Sequence, residues 1–521
     1  MRSRTFRHSL AGAAVSALAL LATPAAAAEC EALAGRAVTD GRIDAATVVP
    51  AGGFSLPQGP GAPPGVMAAS FANLPAFCRV QATLKPSADS DIKVEAWLPL
   101  EGWNGKFVGI GNGIWAGSIS YAQLGEPLSR GYAVASTDTG HTGSGLTADW
   151  AVEHPEKLVD FGHRAVHGMT VAAKEAIRAF YGEGPRLSLW NSCSTGGRQG
   201  LMAAYRYPQD YDAISAMAPA NPMTSLMAQS MWAGWQPNRS PAARLTPAKL
   251  GAVHAAVVKK CDRLDGLEDG IVMNPAACTF DPAELQCRAG DGESCLTAEQ
   301  VQTMRAIYNG VSGPDGRVIL PGFPAGSEMQ LAALTAAPQP FPVALTYYSM
   351  LVFGDRPDWD WKTFDYVRDT EAGRAYGAHI LDVPADGLGA FFARGGKLLL
   401  SHGWNDGLIP AWNSLLFYRQ LYHDIPRDQA QQQLRYYIVP GMDHCSGGEG
   451  VSQFDTLGVI DDWASTGQAP HRIVATRGPA APNAPAREPL SRPLCPYPLI
   501  ARYDGSGDTA EASSFECVVG E

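Results

Sequence analysis

A turn of small residues carries the strongest chemical signal in this sequence. Residues 191–198 read Asn-Ser-Cys-Ser-Thr-Gly-Gly-Arg and lie between a predicted buried strand and a predicted helix. A serine on a sharp strand-to-helix turn can act as a nucleophile, and the strained turn requires small residues two positions before and after it. Ser192 and Gly196 meet this requirement around Ser194, although glycine is usual at the first position. An ordinary Ser/Gly turn is the competing interpretation of this segment alone.

Two later loops supply the acid and the base that such a serine needs. A predicted strand at residues 397–401 is followed by Asp406. Another predicted strand, at 434–439, is followed by His444. Serine, acid and histidine then occur in the chain order of an α/β-hydrolase triad. Loops at the carboxyl ends of neighbouring parallel strands converge. We therefore expect His444 to take the proton of Ser194, and Asp406 to hold the imidazole in the required tautomer.

Two nearby residues compete for these roles. His402 could act as the base, but it precedes the acid and breaks the chain order. Asp443 could act as the acid, but it adjoins His444, and adjacent residues seldom point at each other in the required geometry. Asp406 and His444 remain the preferred pair.

The elements that must position these residues are short strands alternating with helices. This alternation predicts an α/β fold, a mostly parallel sheet covered on both faces by helices. The triad order narrows the class to an α/β-hydrolase. We expect strands at 92–100, 106–110, 132–136, 187–190, 213–217, 397–401 and 434–439, and helices at 166–180, from 196, at 411–422 and at 454–464.

Composition excludes several other classes of protein. The chain has 521 residues, of which 46% are hydrophobic, and a formal net charge of −11. Such a chain can bury a large core, so it is not a disordered polymer. Its acidic balance argues against a nucleic-acid partner, which would attract a positively charged surface.

Residues 223–395 differ in composition and pattern from the segments on either side. They are rich in Pro, Gly, Trp and Met, contain four of the ten cysteines and lack steady strand–helix alternation. We predict that they form a lid domain inserted into the hydrolase core. The core then comprises residues 29–222 and residues 396–521, the latter including a C-terminal tail.

The N-terminus has the pattern of a secretory signal peptide over residues 1–28. Three arginines precede an apolar run at 10–21, which is too short to span a membrane, and small residues end at Ala28. Cys30 would permit a lipid anchor, but Glu29 stands where a small residue is needed. Since no later stretch is long and apolar enough for a membrane span, we expect a secreted or periplasmic protein.

All ten cysteines follow the predicted cleavage site. An even number in an exported chain implies disulfides, but the spacing leaves their pairing open. The absence of a CxxC pair argues against a zinc ribbon or a thioredoxin-type site. A bond between Cys193 and Cys445 would clamp the nucleophile beside the base. In the chain-entropy model, closing so long a loop stabilises the fold by roughly 4.7 kcal/mol or more.

An acidic loop in the predicted lid presents carboxylates at short spacing. Asp262, Asp265 and Asp269 occupy positions 1, 4 and 8 of this loop. Hard carboxylate oxygens suit Ca²⁺, although an EF-hand requires oxygen ligands at positions 1, 3 and 5 and glycine at 6. A solvated acidic turn is the alternative interpretation.

Several motifs resemble the tannase and feruloyl esterase family. They are WNGKF at 103–107, CSTGGRQG at 193–200, CDRLDGLEDGIV at 261–272, GMDHCSGG at 441–448 and RPLCPYPLIARYDGSGD at 492–508. The resemblance extends over nearly the whole chain after residue 28. It implies a serine esterase of the α/β-hydrolase fold with a large lid inserted after the nucleophile's strand. Members include gallate, ferulate and chlorogenate esterases and hydrolases of mono-(2-hydroxyethyl) terephthalate.

The resemblance also implies a calcium site and a disulfide pattern. The calcium ligands would be the side chains of Asp262, Asp265 and Asp269 and the carbonyls of Leu267 and Ile271. This ion would be structural, and no organic cofactor is expected. The implied disulfides are Cys30–Cys78, Cys193–Cys445, Cys261–Cys278, Cys287–Cys295 and Cys495–Cys517.

Two backbone N–H groups should stabilise the oxyanion of an ester intermediate, one of them from the residue after the nucleophile, Thr195. The second should come from the turn after the strand at 106–110. There Ile114 stands where similar family members often have glycine. Ile114 can donate if its φ is negative, and Gly113 is the alternative.

We expect the lid to select the substrate, a small aromatic ester. Most of its aromatic residues should lie in the lid's own core; they include Trp232, Trp235, Phe341, Tyr347, Tyr348 and Phe353. A substrate carboxylate would favour a bidentate arginine, and residues 306–353 contain only Arg317, in a Gly/Asp turn. We therefore predict neutral phenolic esters as substrates. The alternatives are an aromatic half-ester hydrolase, an inactive binding protein on this scaffold and a peptidase.

Overall fold

A long sheet runs through the centre of the molecule in the computed structural model, which describes residues 30–57, 71–478 and 487–520. The predicted signal peptide lies outside these residues. The strands are β1 Ala37–Val38, β2 Gly41–Val49, β3 Phe77–Leu84, β4 Ile92–Pro99, β5 Lys106–Gly109, β6 Ala133–Thr137, β7 Leu187–Cys193, β8 Ala213–Met217, β9 Val311–Ser312, β10 Val318–Leu320, β11 Lys397–Gly403, β12 Leu434–Val439, β13 Ile473–Thr476, β14 Ser491–Leu494, β15 Leu499–Tyr503 and β16 Phe515–Val519.

Helices connect and cover the strands. They are α1 Tyr121–Ser129, α2 Pro155–Val159, α3 Ala165–Tyr181, α4 Thr195–Arg206, α5 Met223–Trp235, α6 Pro247–Cys261, α7 Ala298–Asn309, α8 Glu328–Thr335, α9 Pro342–Thr346, α10 Arg368–Leu381, α11 Gly389–Ala393, α12 Ala411–Asp424, α13 Arg427–Gln433 and α14 Thr456–Thr466. Turns of π-helix at Asp160–Arg164 and Tyr347–Val352 adjoin α3 and α9.

The central sheet has the order β1-β2-β3-β4-β6-β5-β7-β8-β11-β12. From β6 to β12 neighbouring strands are parallel, and from β1 to β6 they are antiparallel. β11 is buried along almost its whole length, as expected of a parallel strand with both faces covered. The predicted α/β-hydrolase fold class is confirmed.

The strands and helices predicted around the triad occur within a few residues of their predicted ends. Strands β8 and β12 have the predicted bounds, and β11 extends two residues further, to Gly403. The antiparallel strands β1–β3 were not predicted. β2 has the burial pattern of an edge-side strand, with only two of its nine residues buried. Its sequence therefore lacks a sustained apolar run that would have marked it as a strand.

Residues 218–396 connect two strands that are neighbours in the central sheet. β8 and β11 pair in parallel, with Ala213 opposite Lys397 and Met217 opposite Ser401. The segment between them contains helices α5 to α11 and the short hairpin β9–β10. We call residues 223–395 the lid segment, the name given to them by the sequence prediction.

The cysteines form the same five pairs that the family resemblance implies: Cys30–Cys78, Cys193–Cys445, Cys261–Cys278, Cys287–Cys295 and Cys495–Cys517. No free cysteine is left in the described ranges. Three of these bonds close loops of fewer than thirty residues, and the bond from Cys193 to Cys445 spans 252 residues. Over the residues described, no helix has the length and apolar character needed to cross a membrane.

Candidate active site

Ser194 lies on a strained turn between β7 and α4. Its φ is 64° and its ψ is −127°, a backbone conformation that residues other than glycine rarely adopt. Such strain persists only where the surroundings hold it, and it is concentrated at functional sites. A Cβ on Gly196 would lie 2.1 Å from Ser192 Oγ, so no larger residue fits there without movement. The turn therefore has the geometry expected of a nucleophile elbow.

Ser192 occupies the elbow position where glycine is usual, and its hydroxyl has a defined role. The backbone N–H of Gly111 donates to Ser192 Oγ at 3.2 Å. Gly111 belongs to the glycine-rich turn that follows β5. The serine side chain therefore ties the elbow to that turn, while the missing side chain of Gly196 leaves room for it.

Asp406 and His444 form the predicted acid–base pair. The Nδ1–H of His444 donates a hydrogen bond to Asp406 Oδ2, and the two atoms are 2.7 Å apart. Asp406 is fully buried, and its Oδ1 accepts hydrogen bonds from the backbone N–H groups of Leu408 and Ile409 at 2.9 and 2.8 Å. These amides fix the carboxylate in place. The pair is therefore held by the loops that follow β11 and β12.

Each member of the pair shifts the pKa of the other. Burial alone would raise the pKa of Asp406, but the adjacent imidazoles of His444 and His402 hold it well below its usual range. Burial alone would lower the pKa of His444, but the Asp406 carboxylate overrides this and raises it above 6.5. Asp406 therefore favours the carboxylate form, which stabilises the imidazolium form of His444.

His402 contacts Asp406 from the protein interior. Its side chain is fully buried, and Nε2 lies 3.0 Å from Asp406 Oδ2 and 3.1 Å from the Ile409 carbonyl. Because both partners are acceptors, Nε2 carries a proton, and Nδ1 lies 2.7 Å from Ser414 Oγ. His402 does not line the cavity in front of Ser194. Its position favours a supporting role rather than that of the base.

Asp443 has no hydrogen bond to His444 among the described residues. Burial, together with the nearby charges of Glu449 and Asp406, raises the pKa of Asp443 to about 6. Because Asp406, and not Asp443, bonds His444 Nδ1, Asp443 cannot hold the tautomer of the imidazole. The geometry favours Asp406 as the acid.

The disulfide Cys193–Cys445 joins the residues next to Ser194 and His444. The Cα atoms of the two cysteines are 6.0 Å apart. Ser194, His444 and both cysteines line the same cavity. The bond therefore fixes the nucleophile's turn against the histidine's loop, two segments that are remote in sequence.

A cavity of about 520 Å³ opens at Ser194 and His444. Its wall is mainly apolar and includes three methionine side chains, and His444 is its only ionisable residue among the described residues. Of the lid aromatics, Phe341 lines it, while Tyr347, Tyr348 and Phe353 are buried in an apolar cluster that the lid segment shares with Trp115 and Phe161 of the core. Arg317 lies outside it. The lining residues are Asn112, Gly113, Ile114, Gln123, Cys193, Ser194, Thr195, Met217, Ala220, Met223, Leu226, Met227, Ser230, Leu334, Phe341, Val343, Leu408, Ile409, His444 and Cys445.

Ile114, in the turn before Trp115, does not meet the condition for donating its N–H to an oxyanion. Ile114 has a φ of 48°, a strained value for a β-branched residue, and not the negative φ that the expectation required. Gly113, the stated alternative, becomes the candidate donor in its place, and it lines the cavity beside Ser194. A glycine at position 114 would adopt this φ without strain.

Thr195 is the first residue of α4, so its N–H has no partner within the helix. Its hydroxyl donates to the Ile114 carbonyl at 2.7 Å, which joins the two sides of the candidate oxyanion hole. The α4 N-terminus also places positive dipole charge beside Ser194. The arrangement suits a developing oxyanion at this point.

The acidic loop of the lid segment keeps its carboxylates on internal partners. Asp262 accepts hydrogen bonds from the N–H groups of Asp269, Gly270 and Ile271. Asp269 pairs with Arg492, with Oδ2 2.6 Å from the guanidinium. Within the described ranges, no three acidic, histidine or cysteine side chains are grouped closely enough to hold a metal ion. The donor chemistry fits Ca²⁺, but binding would require Asp262 and Asp269 to exchange these hydrogen bonds for the ion.

One contact to the catalytic loops was not predicted, because it comes from the lid segment. The side chain of Gln330, on α8, accepts hydrogen bonds from the backbone N–H groups of His444 and Gly407. No motif surrounds this glutamine. Only the folded structure brings it to the loops.

Comparison with known proteins identifies the family of this chain. The tannase and feruloyl esterase family model matches residues 78–518. An uncharacterised esterase of Xanthomonas campestris is 34% identical, over 96% of this chain and 93% of that protein. A probable feruloyl esterase B-2 of Aspergillus terreus is 32% identical, over 85% of this chain and 86% of its own length.

A solved structure shows the same architecture. The crystal structure of feruloyl esterase B from Aspergillus oryzae superposes with a TM-score of 0.85 at 28% identity, over 94% of this chain and 99% of that chain. The sequence match and the structural match extend over both the hydrolase core and the lid segment. This protein is a carboxylic ester hydrolase that belongs to the tannase and feruloyl esterase family.

Proposed function

We propose that this esterase cleaves neutral esters of phenolic acids through an acyl-enzyme formed on Ser194. The observation that carries the proposal is the joint opening of the Ser194 elbow and the His444–Asp406 pair into one uncharged cavity. Relatives named as feruloyl esterases support the substrate class.

The geometry supports a two-step acyl transfer. Ser194 Oγ attacks the ester carbonyl while His444 takes its proton, and the Asp406 carboxylate stabilises the resulting imidazolium. The N–H groups of Thr195 and Gly113 would face the oxyanion. The tetrahedral intermediate expels the alcohol, which receives the proton from His444. Water then repeats the attack on the acyl-enzyme, and Ser194 is released with the acid.

The cavity wall favours an aromatic acyl group without charge. Thioethers of Met217, Met223 and Met227 and the ring of Phe341 provide polarisable contacts for an aromatic ring. No arginine or lysine among the described residues lines the cavity, so a buried substrate carboxylate would have no partner.

We expect the enzyme to prefer dimethyl terephthalate over monomethyl terephthalate. We also expect it to prefer methyl ferulate over mono-(2-hydroxyethyl) terephthalate. In the first pair one methyl ester is replaced by a carboxylate, whose charge the cavity does not compensate, and the second ester group of the diester contributes only a statistical factor of about two. A ratio of kcat/KM of about tenfold or more corresponds to about 1.4 kcal/mol, a modest desolvation cost. Equal kcat/KM within each pair would contradict the proposal. Methyl gallate and chlorogenate, measured in the same panel, would separate tannase-type from feruloyl-type specificity.

Activity should fall on acidification at a pH above the ordinary pKa of histidine. His444 must be neutral to accept the proton of Ser194, and the adjacent Asp406 raises its pKa above 6.5. As pH falls through that raised pKa, His444 becomes protonated and the base is lost. The kcat/KM profile on an uncharged ester should therefore show an acid limb with an apparent pKa above 6.5. An acid limb below 6.5 would argue against the pairing with Asp406.

We propose that the acidic loop binds a structural Ca²⁺ ion through Asp262, Asp265 and Asp269 and the carbonyls of Leu267 and Ile271. Hard oxygen donors within one short loop support the proposal, as does the Cys261–Cys278 bond that closes the loop. The loop does not line the cavity at Ser194, so the ion would act on stability and take no part in the reaction.

EDTA is expected to lower the melting temperature by several degrees, because an ion bound only to the folded state stabilises that state. Added Ca²⁺ should restore it. In Asp265→Asn, which leaves the Asp269–Arg492 pair intact, neither EDTA nor Ca²⁺ should move the melting temperature. Differential scanning calorimetry provides the measurement, and a wild-type protein that is indifferent to EDTA would refute the calcium proposal.

We further propose that the protein functions outside the cytoplasm. Five disulfides support this, since such bonds form and persist in oxidising compartments. A mature N-terminus close to residue 29, determined by mass spectrometry of the exported protein, would support the predicted signal peptide.

A further inference from the structure

Helix α8 of the lid segment reaches the two loops that carry the acid and the base. Gln330 Oε1 accepts one hydrogen bond from the backbone N–H of His444 and another from that of Gly407, each at 3.0 Å. Gly407 directly follows Asp406. One side-chain oxygen therefore joins the acid's loop to the base's loop.

The chemistry of the two partners settles the orientation of this amide. Both are N–H donors, so the oxygen of Gln330 must face them and its NH₂ group must point away. Gly407 is buried, so its N–H cannot turn to bulk water if the acceptor is removed. The contact is thus directional.

Close packing shows that Gly407 and α8 are in direct backbone contact. A Cβ on Gly407 would lie 2.5 Å from the Leu331 nitrogen, 2.7 Å from the Gln330 carbonyl carbon and 2.9 Å from the Ser327 carbonyl oxygen. No side chain fits at position 407 without moving the helix or the loop. The start of α8 therefore sets the position of the loop that follows Asp406.

A second chain of polar contacts links α8 to the same loops. Glu328 is fully buried and lies 2.8 Å from His254 Nδ1, while His254 Nε2 lies 2.6 Å from Glu449. Asn405 donates to the other oxygen of Glu449 at 2.6 Å. Burial opposes the charge on His254, but the two carboxylates raise its pKa to about 10, so the chain is held by charge-assisted hydrogen bonds.

We propose that Gln330 is a positioning residue that holds the Asp406 and His444 loops in register, so that the lid segment completes the geometry of the catalytic core. The inference rests on the proposed roles of Ser194, Asp406 and His444. Gln330, a residue of the lid segment, would then act on the chemical step through its contacts with the backbone of the two loops.

Loss of the Gln330 acceptor should therefore lower kcat more than it weakens substrate binding. Small displacements of reacting groups have large kinetic effects, and about 1 Å can cost about a hundredfold. Gln330 does not line the cavity, so KM has no direct reason to change. A merely structural residue would instead lower the melting temperature and leave the rate of the folded fraction unchanged.

The test compares Gln330→Met, which keeps length and loses the strong acceptor, with Gln330→Glu, which keeps an oxygen in place. The matched control is Gln302→Met, at an exposed site on α7 of the same segment. The measurements are kcat, KM, melting temperature and the rate at which a fluorophosphonate labels Ser194. We expect Gln330→Met to lower kcat and the labelling rate at least about tenfold, with KM within about twofold of wild type.

Gln330→Glu should recover most of kcat and move the acid limb of the pH profile upward, because a new carboxylate would stand near the imidazolium. If Gln330→Met does not fold, Gln330→Asn, whose amide is one methylene too short, takes its place. Unchanged labelling and kcat in these variants, with wild type labelled normally, would overturn the positioning role alone. Failure of wild type to be labelled at Ser194 would overturn the proposed mechanism itself.

Discussion

Replacing Ser194 with alanine is expected to lower kcat by about 10⁴- to 10⁶-fold on every ester the enzyme hydrolyses. Without Oγ no acyl-enzyme can form, and any residual rate comes from ester binding and oxyanion stabilisation. The melting temperature should stay near that of wild type, because alanine must adopt the same positive φ at the elbow. KM or the substrate dissociation constant should also change little.

The measurement is the burst of p-nitrophenol from a p-nitrophenyl ester, with each variant checked by calorimetry. Wild type should release about one equivalent per active site before the steady state, and Ser194→Ala should show no burst. The matched control is Ser446→Ala, which changes an exposed serine next to the Cys193–Cys445 disulfide and should behave as wild type. A Ser194→Ala enzyme that retains more than about one per cent of kcat would point to another nucleophile.

Asp406→Asn is expected to lower kcat by about 10⁴-fold, and Asp443→Asn by less than about tenfold. The asparagine oxygen should remain on the N–H groups of Leu408 and Ile409, which leaves its NH₂ facing His444 Nδ1. His444 Nδ1 must then be the acceptor, so its proton moves to Nε2. An imidazole protonated at Nε2 cannot take the proton of Ser194.

Comparison of the two asparagine variants separates the competing acids directly. Both remove one negative charge close to His444, but only Asp406 holds its Nδ1–H. The kcat/KM profiles of both variants should be recorded over the full pH range. Equal losses in the two variants, or a larger loss in Asp443→Asn, would exclude Asp406 as the orienting acid.

The candidate catalytic residues could be predicted because each one follows a recognisable buried strand. Apolar runs marked β7, β11 and β12, and chain order then singled out Ser194, Asp406 and His444. Parallel topology places such loops at one edge of a sheet, so local patterns implied a distant meeting. The structure places Ser194 and His444 in one cavity and holds Asp406 against His444, as expected.

The remaining features depend on contacts that no local pattern encodes. Ile114 has a positive φ in a turn that Thr195 bonds to the elbow, and Gln330 reaches the catalytic loops only because the lid segment folds back on the core. Of the lid aromatics, most bury one another, and composition could not show that Phe341 alone of those proposed faces the cavity. The acidic loop was recognised, but its hydrogen bonds to backbone and to Arg492 were not.

The pairing of β8 with β11 has a consequence for how the chain folds. The sheet cannot be completed until residues 218–396 have been synthesised and their ends brought together. Closing so long a flexible loop costs about 4 to 5 kcal/mol, and such non-local pairing is slow. The bonds Cys261–Cys278 and Cys287–Cys295 span only 17 and 8 residues. Forming them early would compact the insertion on the growing chain and shorten the distance that β11 must search to find its neighbour.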